Sequence, residues 1–227
     1  KIFIKFVKKK IFLIEKKKNN KLTSYDPKQF NINFKKKIYF EGYFQSEKYF
    51  QSHIDKIKEE FSFKDDIKNQ NIEIANEIKK NNSVSIHLRQ DKYLFDEGHK
   101  NLNQLKKEFF DYTMSIIKKG INFFDEELEN PKYYVWSDNF KEISNIFPSN
   151  KFTLIDINLK RDPAYDLYLM SLCKHFILSP STMHYWAAFL SKNVGKICLS
   201  PTYTINKNGY YGFSNNKDIK PTWWKDI

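Results

Sequence analysis

The sequence is poor in arginine, glycine and cysteine, and the shortage of arginine bears most directly on function. Only Arg89 and Arg161 occur among 227 residues, whereas lysine occurs 37 times and the formal net charge is +12. Bidentate recognition of bases and phosphates favours arginine, so a charge carried by lysine indicates a compositional bias spread over the surface. We predict no nucleic-acid partner, although a nucleic-acid binder stays open on charge alone. An anionic substrate or an acidic membrane face fits the same charge.

Glycine is almost as scarce, with 6 residues, of which Gly42 is the first. The sequence has no P-loop, no G-x-G-x-x-G motif and no G-x-S-x-G motif. These absences argue against P-loop NTPases, dinucleotide-dependent oxidoreductases and serine hydrolases of the α/β type. The 2 cysteines, Cys173 and Cys198, lack C-x-x-C spacing and predict buried free thiols in a reducing compartment.

Metal-binding and membrane-spanning patterns are also missing. No D-x-D triplet occurs and the histidines are scattered, so we predict no metal site and no metal cofactor. No apolar run reaches the roughly 18 residues of a membrane span, and no signal-peptide pattern with a small-residue cleavage site is found. We therefore predict a cytoplasmic protein, and its charge is compatible with peripheral association at the inner face of the membrane.

The hydrophobic content of 41% and the aromatic content of 17% are sufficient for one large domain or two small ones. The opening segment, "KIFIKFVKKKIFLIEKKKNNK", alternates apolar residues with lysine and fits an edge strand, an amphipathic helix or a basic arm equally well. After it we predict a short strand, a break at Gly42, and a helix whose apolar face runs from Tyr49 to Phe61. Residues 64–82 predict a charged helical connection.

From Ser83 onward, short apolar segments alternate with amphipathic ones. The predicted strands are "VSIHL", "KYYVWS", "KFTLID", "HFILS" and "GKICLS". The predicted helices between them are "NLNQLKKEFFDYTMSIIKKG" with Gly120 as its stop, "NFKEISNIF", "AYDLYLMSLCK" and "STMHYWAAFLSK". This alternation predicts right-handed βαβ units, a parallel, doubly wound sheet and an α/β fold.

Polar residues collect at the points where the predicted strands end. They are His87 and Arg89 after the first strand, Ser137 and Asp138 after the second, Asp156 after the third, and Ser179 to Thr182 after the fourth. Ligands of open parallel sheets bind outside the carboxyl ends of the strands. The sequence therefore predicts one binding crevice lined by these residues.

The segment "ILSPSTMHYW" predicts an anion-binding helix start. Ser179 suits the N-cap, Pro180 suits the first helical position, and Ser181 and Thr182 fall in the first turn. Free N–H groups at such an end attract phosphate, although an ordinary capped helix has the same pattern. Arg89 would arrive from a neighbouring strand end, and its guanidinium can hold phosphate bidentately. Together these residues predict a nucleoside-diphosphate site without a Gly-rich loop.

Three further residues have both a structural and a functional interpretation. His87 lies on an apolar strand, where a satisfied core histidine is the commoner case. Asp138 fits a cap of the following helix as well as a ligand role. Asp166 stands among apolar residues of a predicted helix and needs a partner, which the N–H edge of a purine would supply.

Four motifs in order resemble the bacterial α-1,2-fucosyltransferases of glycosyltransferase family 11. They are "EGYFQSEKYF", "SVSIHLRQDKYL", "YYVWSDN" and "DLYLMSLCKHFILSPSTMHYWAAFLSKN", and the similarity extends to the closing "PTWWKDI". The resemblance implies a GT-B-like α/β fold, with a Rossmann-type parallel sheet in the C-terminal donor-binding lobe and a partial N-terminal lobe. It implies an inverting, metal-independent transfer of L-fucose from GDP-fucose to the 2-hydroxyl of a terminal galactoside. The acceptor would be a galactose-terminated oligosaccharide of a surface glycan such as lipopolysaccharide.

The same resemblance implies roles for individual residues. Arg89 falls on the family's essential arginine and would neutralise the β-phosphate as the bond to fucose breaks, with His87 positioning Arg89 or the donor. Ser181 and Thr182 match a phosphate-binding pair. Asp138, its neighbour Ser137, and Asp166 would contact the nucleoside part of the donor.

Departures from the family pattern favour a second hypothesis, a catalytically impaired homologue that binds GDP or glycan without turnover. Gln90 replaces a second motif arginine, for which Lys92 would substitute, whereas the replacement of the first tryptophan of a Trp-Trp pair by Tyr185 is a mild change. No Gly-rich opening of the family type precedes Gly42. We therefore expect residues 1–82 to form a partial acceptor-side lobe with connecting helices, and residues 83–227 to form the GDP-sugar-binding lobe.

Overall fold

The computed structural model describes most of the chain. The described residues are 2–7, 10–18, 25–30, 37–41, 44, 46–90, 102–141, 143–158, 162–201, 218 and 220–227. Contacts divide the chain into two compact units: the first comprises Lys1–Ile54 with Tyr203–Thr222, and the second comprises Asp55–Thr202 with Trp223–Ile227. The expected boundary lay at residue 82, whereas contacts assign residues from Asp55 onward to the second unit, and apolar residues of the helices between residues 65 and 80 join its core.

The first unit contains a three-stranded sheet. Strands β1 (Ile2–Val7) and β2 (Lys10–Lys18) pair antiparallel, and β3 (Lys37–Glu41) lies parallel to β2. The strand interpretation of the opening segment is therefore correct, and the amphipathic-helix interpretation is wrong. The break predicted at Gly42 lies outside the described residues.

The helix predicted to begin near Tyr49 begins later. Two short 3-10 turns, Glu47–Tyr49 and Gln51–His53, precede helix α1 (Ile54–Glu60). The Tyr49 hydroxyl accepts a hydrogen bond from the Asp26 backbone N–H at 2.8 Å, so this side chain is held within the first unit instead of facing a helix neighbour. The charged connection is helical as predicted, with α2 (Asp65–Gln70) and α3 (Ile72–Lys80).

The second unit is built on a six-stranded sheet in which every described pairing is parallel. In chain order its elements are β4 (Asn82–Leu88), α4 (Leu102–Glu127), β5 (Pro131–Ser137), β6 (Phe152–Leu154), α5 (Ala164–Leu172), β7 (His175–Ile177), α6 (Thr182–Leu190), β8 (Cys198–Ser200) and β9 (Lys225–Asp226). The strand order is β6-β5-β4-β7-β8-β9. The predicted α/β class and Rossmann-type parallel sheet are confirmed.

Two hydrophobic clusters cover the two faces of this sheet. Alternating residues of β5 show the division: Tyr133 and Val135 join one cluster with α4, and Tyr134 and Trp136 join the other with α3, α5 and α6. Cys173 and Cys198 are buried free thiols in the second cluster, as predicted. Helices on both faces make the sheet doubly wound.

Gly120 does not end its helix. Helix α4 continues for a further seven residues, to Glu127, because Gly120 is buried against strand β7. A Cβ atom built there would lie 2.5 Å from Cγ2 of Ile177, closer than side chains tolerate. The glycine therefore permits the close approach of α4 to the sheet instead of capping the helix.

The helix predicted over "NFKEISNIF" is absent from the described part of that segment, which forms a series of turns. The Asn139 side chain accepts a hydrogen bond from the Lys141 backbone N–H at 3.1 Å, an Asx turn that competes with helix formation. Ile143 and Phe147 are nevertheless buried, so the apolar spacing predicted which residues enter the core but not the backbone that places them there.

Candidate active site

Strand β4 presents a row of polar side chains to the helices α5 and α6. Ser83, Ser85 and His87 alternate with the apolar residues that face α4, and all three are buried. Ser83 Oγ accepts from the Lys174 backbone N–H at 3.0 Å, and Ser85 Oγ lies 3.0 Å from Nε2 of His184. Each polar group on this face thus has a partner on a neighbouring element.

His87 joins β4 to the start of α6. Its Nδ1 lies 2.9 Å from Ser181 Oγ, and its carbonyl accepts from Ser179 Oγ at 2.6 Å. The strand order places β4 between β5 and β7, so the chain runs outward from β4 in one direction and later from β7 in the other. This reversal is the switch point at which doubly wound sheets bind ligands. His87 and Ser181 meet at that point.

The N-cap of α6 is Ser181, not Ser179 as the sequence suggested. Ser181 has an extended backbone (φ −139°, ψ 124°), and its Oγ accepts from the His184 backbone N–H at 3.3 Å. Ser179 bonds instead to β4, and Pro180 precedes the helix. Thr182 is the first helical residue, and its side chain is exposed beside the first N–H groups, which have no partner within a helix.

Ser137 and Asp138 tie the end of β5 to the end of β4. Ser137 Oγ donates to the Leu88 carbonyl at 2.7 Å, and Asp138 Oδ1 accepts from the Gln90 backbone N–H at 2.8 Å. The Gln90 side-chain amide bonds to Ser137 Oγ at 3.1 Å and donates to the Asn139 carbonyl at 2.6 Å. Asp138 caps no helix, because the segment after it forms turns.

Asp166 lies in the first turn of α5 and is held by a chain of two amides. Asn158 Nδ2 donates to Asp166 Oδ1 at 2.8 Å, and Asn71 Nδ2 donates to Asn158 Oδ1 at 3.1 Å. Burial raises the pKa of the Asp166 carboxyl, while Asn158 and the indole of Trp136 oppose the shift. Asp166 therefore has the protein partner that the sequence required, and that partner is an amide.

The predicted residues form a row across one edge of the sheet. Trp136, next to Asp166, pairs in register with His87, and His87 bonds to Ser181. Arg89 follows β4 directly and is half-buried. Asp156, also predicted for this edge, is exposed; Lys92 and Arg161 lie outside the described residues.

Two residues that organise this edge, His184 and Asn158, were not predicted from the sequence. His184 is completely buried, and burial, with a smaller effect of His87, lowers its pKa well below the ordinary value, so the ring is neutral. Its Nδ1 has no hydrogen-bond partner among the described atoms, which assigns the proton to Nε2, where it is donated to Ser85 Oγ. His184 lies three residues after Ser181, the spacing at which a backbone N–H bonds to an N-cap side chain. This spacing was visible in the sequence. Asn158 offered no such signal, because its partners Asn71 and Asp166 follow no helical or strand repeat with it.

The described part of the chain contains no group of three or more His, Cys, Asp or Glu side chains arranged to hold a metal ion. None of the described helices is long and apolar enough to cross a membrane.

Comparison with known proteins identifies the relatives of this fold. The model of the family described as Glycosyl transferase family 11 matches residues 3–225. No solved structure matches significantly.

Two curated relatives come from Escherichia coli. One is named alpha-1,2-colitosyltransferase and is 29% identical over 180 residues, which are 77% of this chain and 59% of the relative. The other is named O-antigen biosynthesis glycosyltransferase WbnK and is 26% identical over 187 residues, 80% of this chain and 58% of the relative. The matched part of this chain thus spans less than two thirds of either relative.

Proposed function

Because the chain belongs to glycosyltransferase family 11, we propose that the row from Asp166 to Ser181 binds a nucleoside-diphosphate sugar. The donor is GDP-fucose, and L-fucose passes with inversion to the 2-hydroxyl of a terminal galactoside. The acceptor is a galactose-terminated oligosaccharide of a surface glycan. The observation that carries this proposal is the His87–Ser181 hydrogen bond, which fixes the α6 N-terminus at the switch point of the sheet.

The α6 N-terminus and Arg89 bind the diphosphate. The first N–H groups of a helix carry a partial positive charge and suit a phosphate, and the exposed Thr182 hydroxyl adds a donor beside them. Arg89 directly follows β4, and its backbone lies two residues from His87, whose carbonyl is held by Ser179. His87 is a positioning residue in this scheme, because it acts through Ser181.

The nucleoside part of GDP lies toward α5. One carboxylate oxygen of Asp166 is occupied by Asn158, and the second accepts from the N–H edge of guanine. Ser137 and Asp138 are bonded to the end of β4, and through Gln90 they shape the wall of the site. They also contact the nucleoside part of the donor. The nucleobase contact distinguishes a guanine from an adenine donor.

The reaction is a direct displacement at the anomeric carbon of the donor. The acceptor oxygen forms the new bond as the bond from the anomeric carbon to the diphosphate breaks, GDP leaves with the electron pair, and the hydroxyl proton passes to a base. Arg89 and the α6 N-terminus stabilise the charge that develops on the diphosphate, which makes a metal ion unnecessary. Orientation of the acceptor hydroxyl supplies the remaining acceleration.

The test is calorimetric titration of the chain with GDP, GDP-fucose and ADP, with and without EDTA. Arg89→Ala removes hydrogen bonds to a charged group, worth about 1.5–3 kcal/mol, and we expect GDP affinity to fall tenfold or more. Lys132→Ala, at the opposite end of the neighbouring strand β5, removes the same charge and serves as the matched control. Equal affinity of the Arg89→Ala variant and the parent chain would refute the donor site.

The same protein preparations distinguish the proposed function from two alternatives. The relative named alpha-1,2-colitosyltransferase favours a colitosyl donor, so turnover with a colitosyl nucleotide is measured beside GDP-fucose on a galactoside acceptor. The second alternative is an impaired homologue that binds GDP without turnover. Gln90 supports it, because this residue replaces a family cation and its amide bonds to the end of β5. Metal-independent turnover would reject this alternative.

A further inference from the structure

A basic cavity lies at the edge of the second unit opposite the candidate site. Its volume is about 390 Å³, and it is bounded by residues 61–63 and by the ends of helices α3, α5 and α6. Helix α3 ends just before β4 begins, and α5 ends just before β7 begins. The cavity therefore lies where these parallel strands start, whereas His87 and Ser181 lie where strands end.

The cavity carries positive charge. Among the described residues its lining includes four lysines and no carboxylate; the lysines are Lys58, Lys68, Lys79 and Lys192. Lys68 pairs with Asp65 at 2.9 Å in an exposed i,i+3 pair, a contact worth little. The field of Lys68 also reaches the cavity wall, where it opposes the rise in the pKa of Tyr168 that burial causes. An anionic ligand fits this lining.

Exposed apolar side chains accompany the lysines. Phe61, in the cavity wall, is 51% exposed and stacks on Trp186 with ring centroids 5.2 Å apart. Val194 precedes β8 and is fully exposed; Trp223 precedes β9 and is 45% exposed, with Lys196 Nζ 5.2 Å from its ring centroid. A soluble anion gains nothing from these three side chains. Aromatic and aliphatic tips surrounded by lysine are typical of a surface that enters a lipid headgroup layer.

We propose that this edge of the second unit binds the surface of an anionic phospholipid membrane. A lipid phosphate occupies the lysine-lined cavity, and Phe61, Val194 and Trp223 enter the boundary between headgroups and acyl chains. The carboxyl ends of the strands then face away from the bilayer. No residue of this surface belongs to the proposed donor site, so the two proposals fail separately.

The experiment is co-sedimentation of the chain with vesicles of phosphatidylglycerol and phosphatidylcholine, and with vesicles of phosphatidylcholine alone. We expect binding only to the anionic vesicles. Lys79→Glu combined with Lys192→Glu should weaken it at least tenfold, since each lysine near such a surface contributes roughly one kcal/mol. Lys107→Glu combined with Lys119→Glu, on exposed positions of α4, makes the same charge change elsewhere and should weaken binding much less.

Val194→Asp tests the apolar contribution. It should lower affinity for the anionic vesicles severalfold, whereas Ile72→Asp makes the same change at an exposed aliphatic residue of α3 and should have a smaller effect. Circular dichroism confirms that each variant is folded. Equal losses in the cavity and control pairs would overturn the proposal. The proposal would also be overturned if the chain bound pyrophosphate in the cavity and did not bind the anionic vesicles. The ligand of the cavity would then be a soluble anion.

Discussion

The two faces of strand β4 are made of different chemistry. Toward α4 the strand presents Val84, Ile86 and Leu88, which are buried in an apolar cluster. Toward α5 and α6 it presents serines and a histidine, each bonded to a neighbouring element. Burial stabilises the first face whatever its detailed geometry, whereas the second is stable only while every polar group keeps its partner. One strand thus separates a face that supports the fold from a face that supports the site.

The largest effect is expected on the apolar face, from Gly120→Ala. A helix normally gains about 1 kcal/mol from this change, but the new Cβ would meet Ile177 at 2.5 Å and force α4 away from the sheet. We expect a net loss of about 3 kcal/mol in the free energy of unfolding, measured by urea denaturation.

Two further variants sharpen that test. Lys119→Ala changes the exposed neighbour of Gly120 and should stay within about 0.5 kcal/mol. Ile177→Ala removes the atoms that the new Cβ would meet, so the double variant should be more stable than the sum of the single losses predicts. Strict additivity would mean that the close approach is unimportant.

A smaller loss is expected on the polar face, from Ser85→Ala. The change leaves Nε2 of buried His184 without its partner, and an unsatisfied buried donor costs about 1–3 kcal/mol. Ser83→Ala is the matched control, because the Lys174 N–H keeps the Ser83 carbonyl as acceptor at 3.0 Å. We expect the control to lose clearly less in the same denaturation assay. Equal losses would show that the polar row acts as generic packing.

The smallest effect is a pH dependence to which buried His184, the partner of Ser85 on the polar face, contributes. The folded-state pKa of His184 is lowered below its unfolded value, so the unfolded chain binds more protons as pH falls below about 6.5. The free energy of unfolding should then fall by up to about 1.4 kcal/mol per pH unit. The half-buried His175, whose pKa is also lowered, adds in the same direction.

His184→Gln isolates this contribution. The variant keeps an amide that can donate to Ser85 and loses the titrating group, so the slope of stability against pH between 6.5 and 5 should become shallower. A His175→Gln variant measures the remaining histidine in the same way. An unchanged slope in the His184 variant would mean that the ring takes up its proton in the folded state.

The sequence predicted the strands of the second unit well because their apolar residues recur with a regular period. It failed where a local competitor or a distant contact decided the outcome. The Asx turn at Asn139 replaced a helix with the right apolar spacing. Ser179 and Ser181 both suit an N-cap, and only the bonds to His87 distinguish them.

The candidate site also has one part that the sequence predicts and one part that it does not. The polar residues at the strand ends were visible in the sequence, and the structure brings His87 to Ser181. The bonds that hold this edge together were not visible, because Gln90 and Asn139, or Asn71 and Asn158, are far apart in the chain. Such pairs leave no periodic signal.

The end of β4 is fastened from both sides, since the Ser179 hydroxyl holds the His87 carbonyl and the Ser137 hydroxyl holds the Leu88 carbonyl. The backbone just before Arg89 therefore loses its conformational freedom when the chain folds, not when a ligand arrives. Binding of a ligand at Arg89 therefore does not have to order this segment, and the affinity is not reduced by that entropy cost.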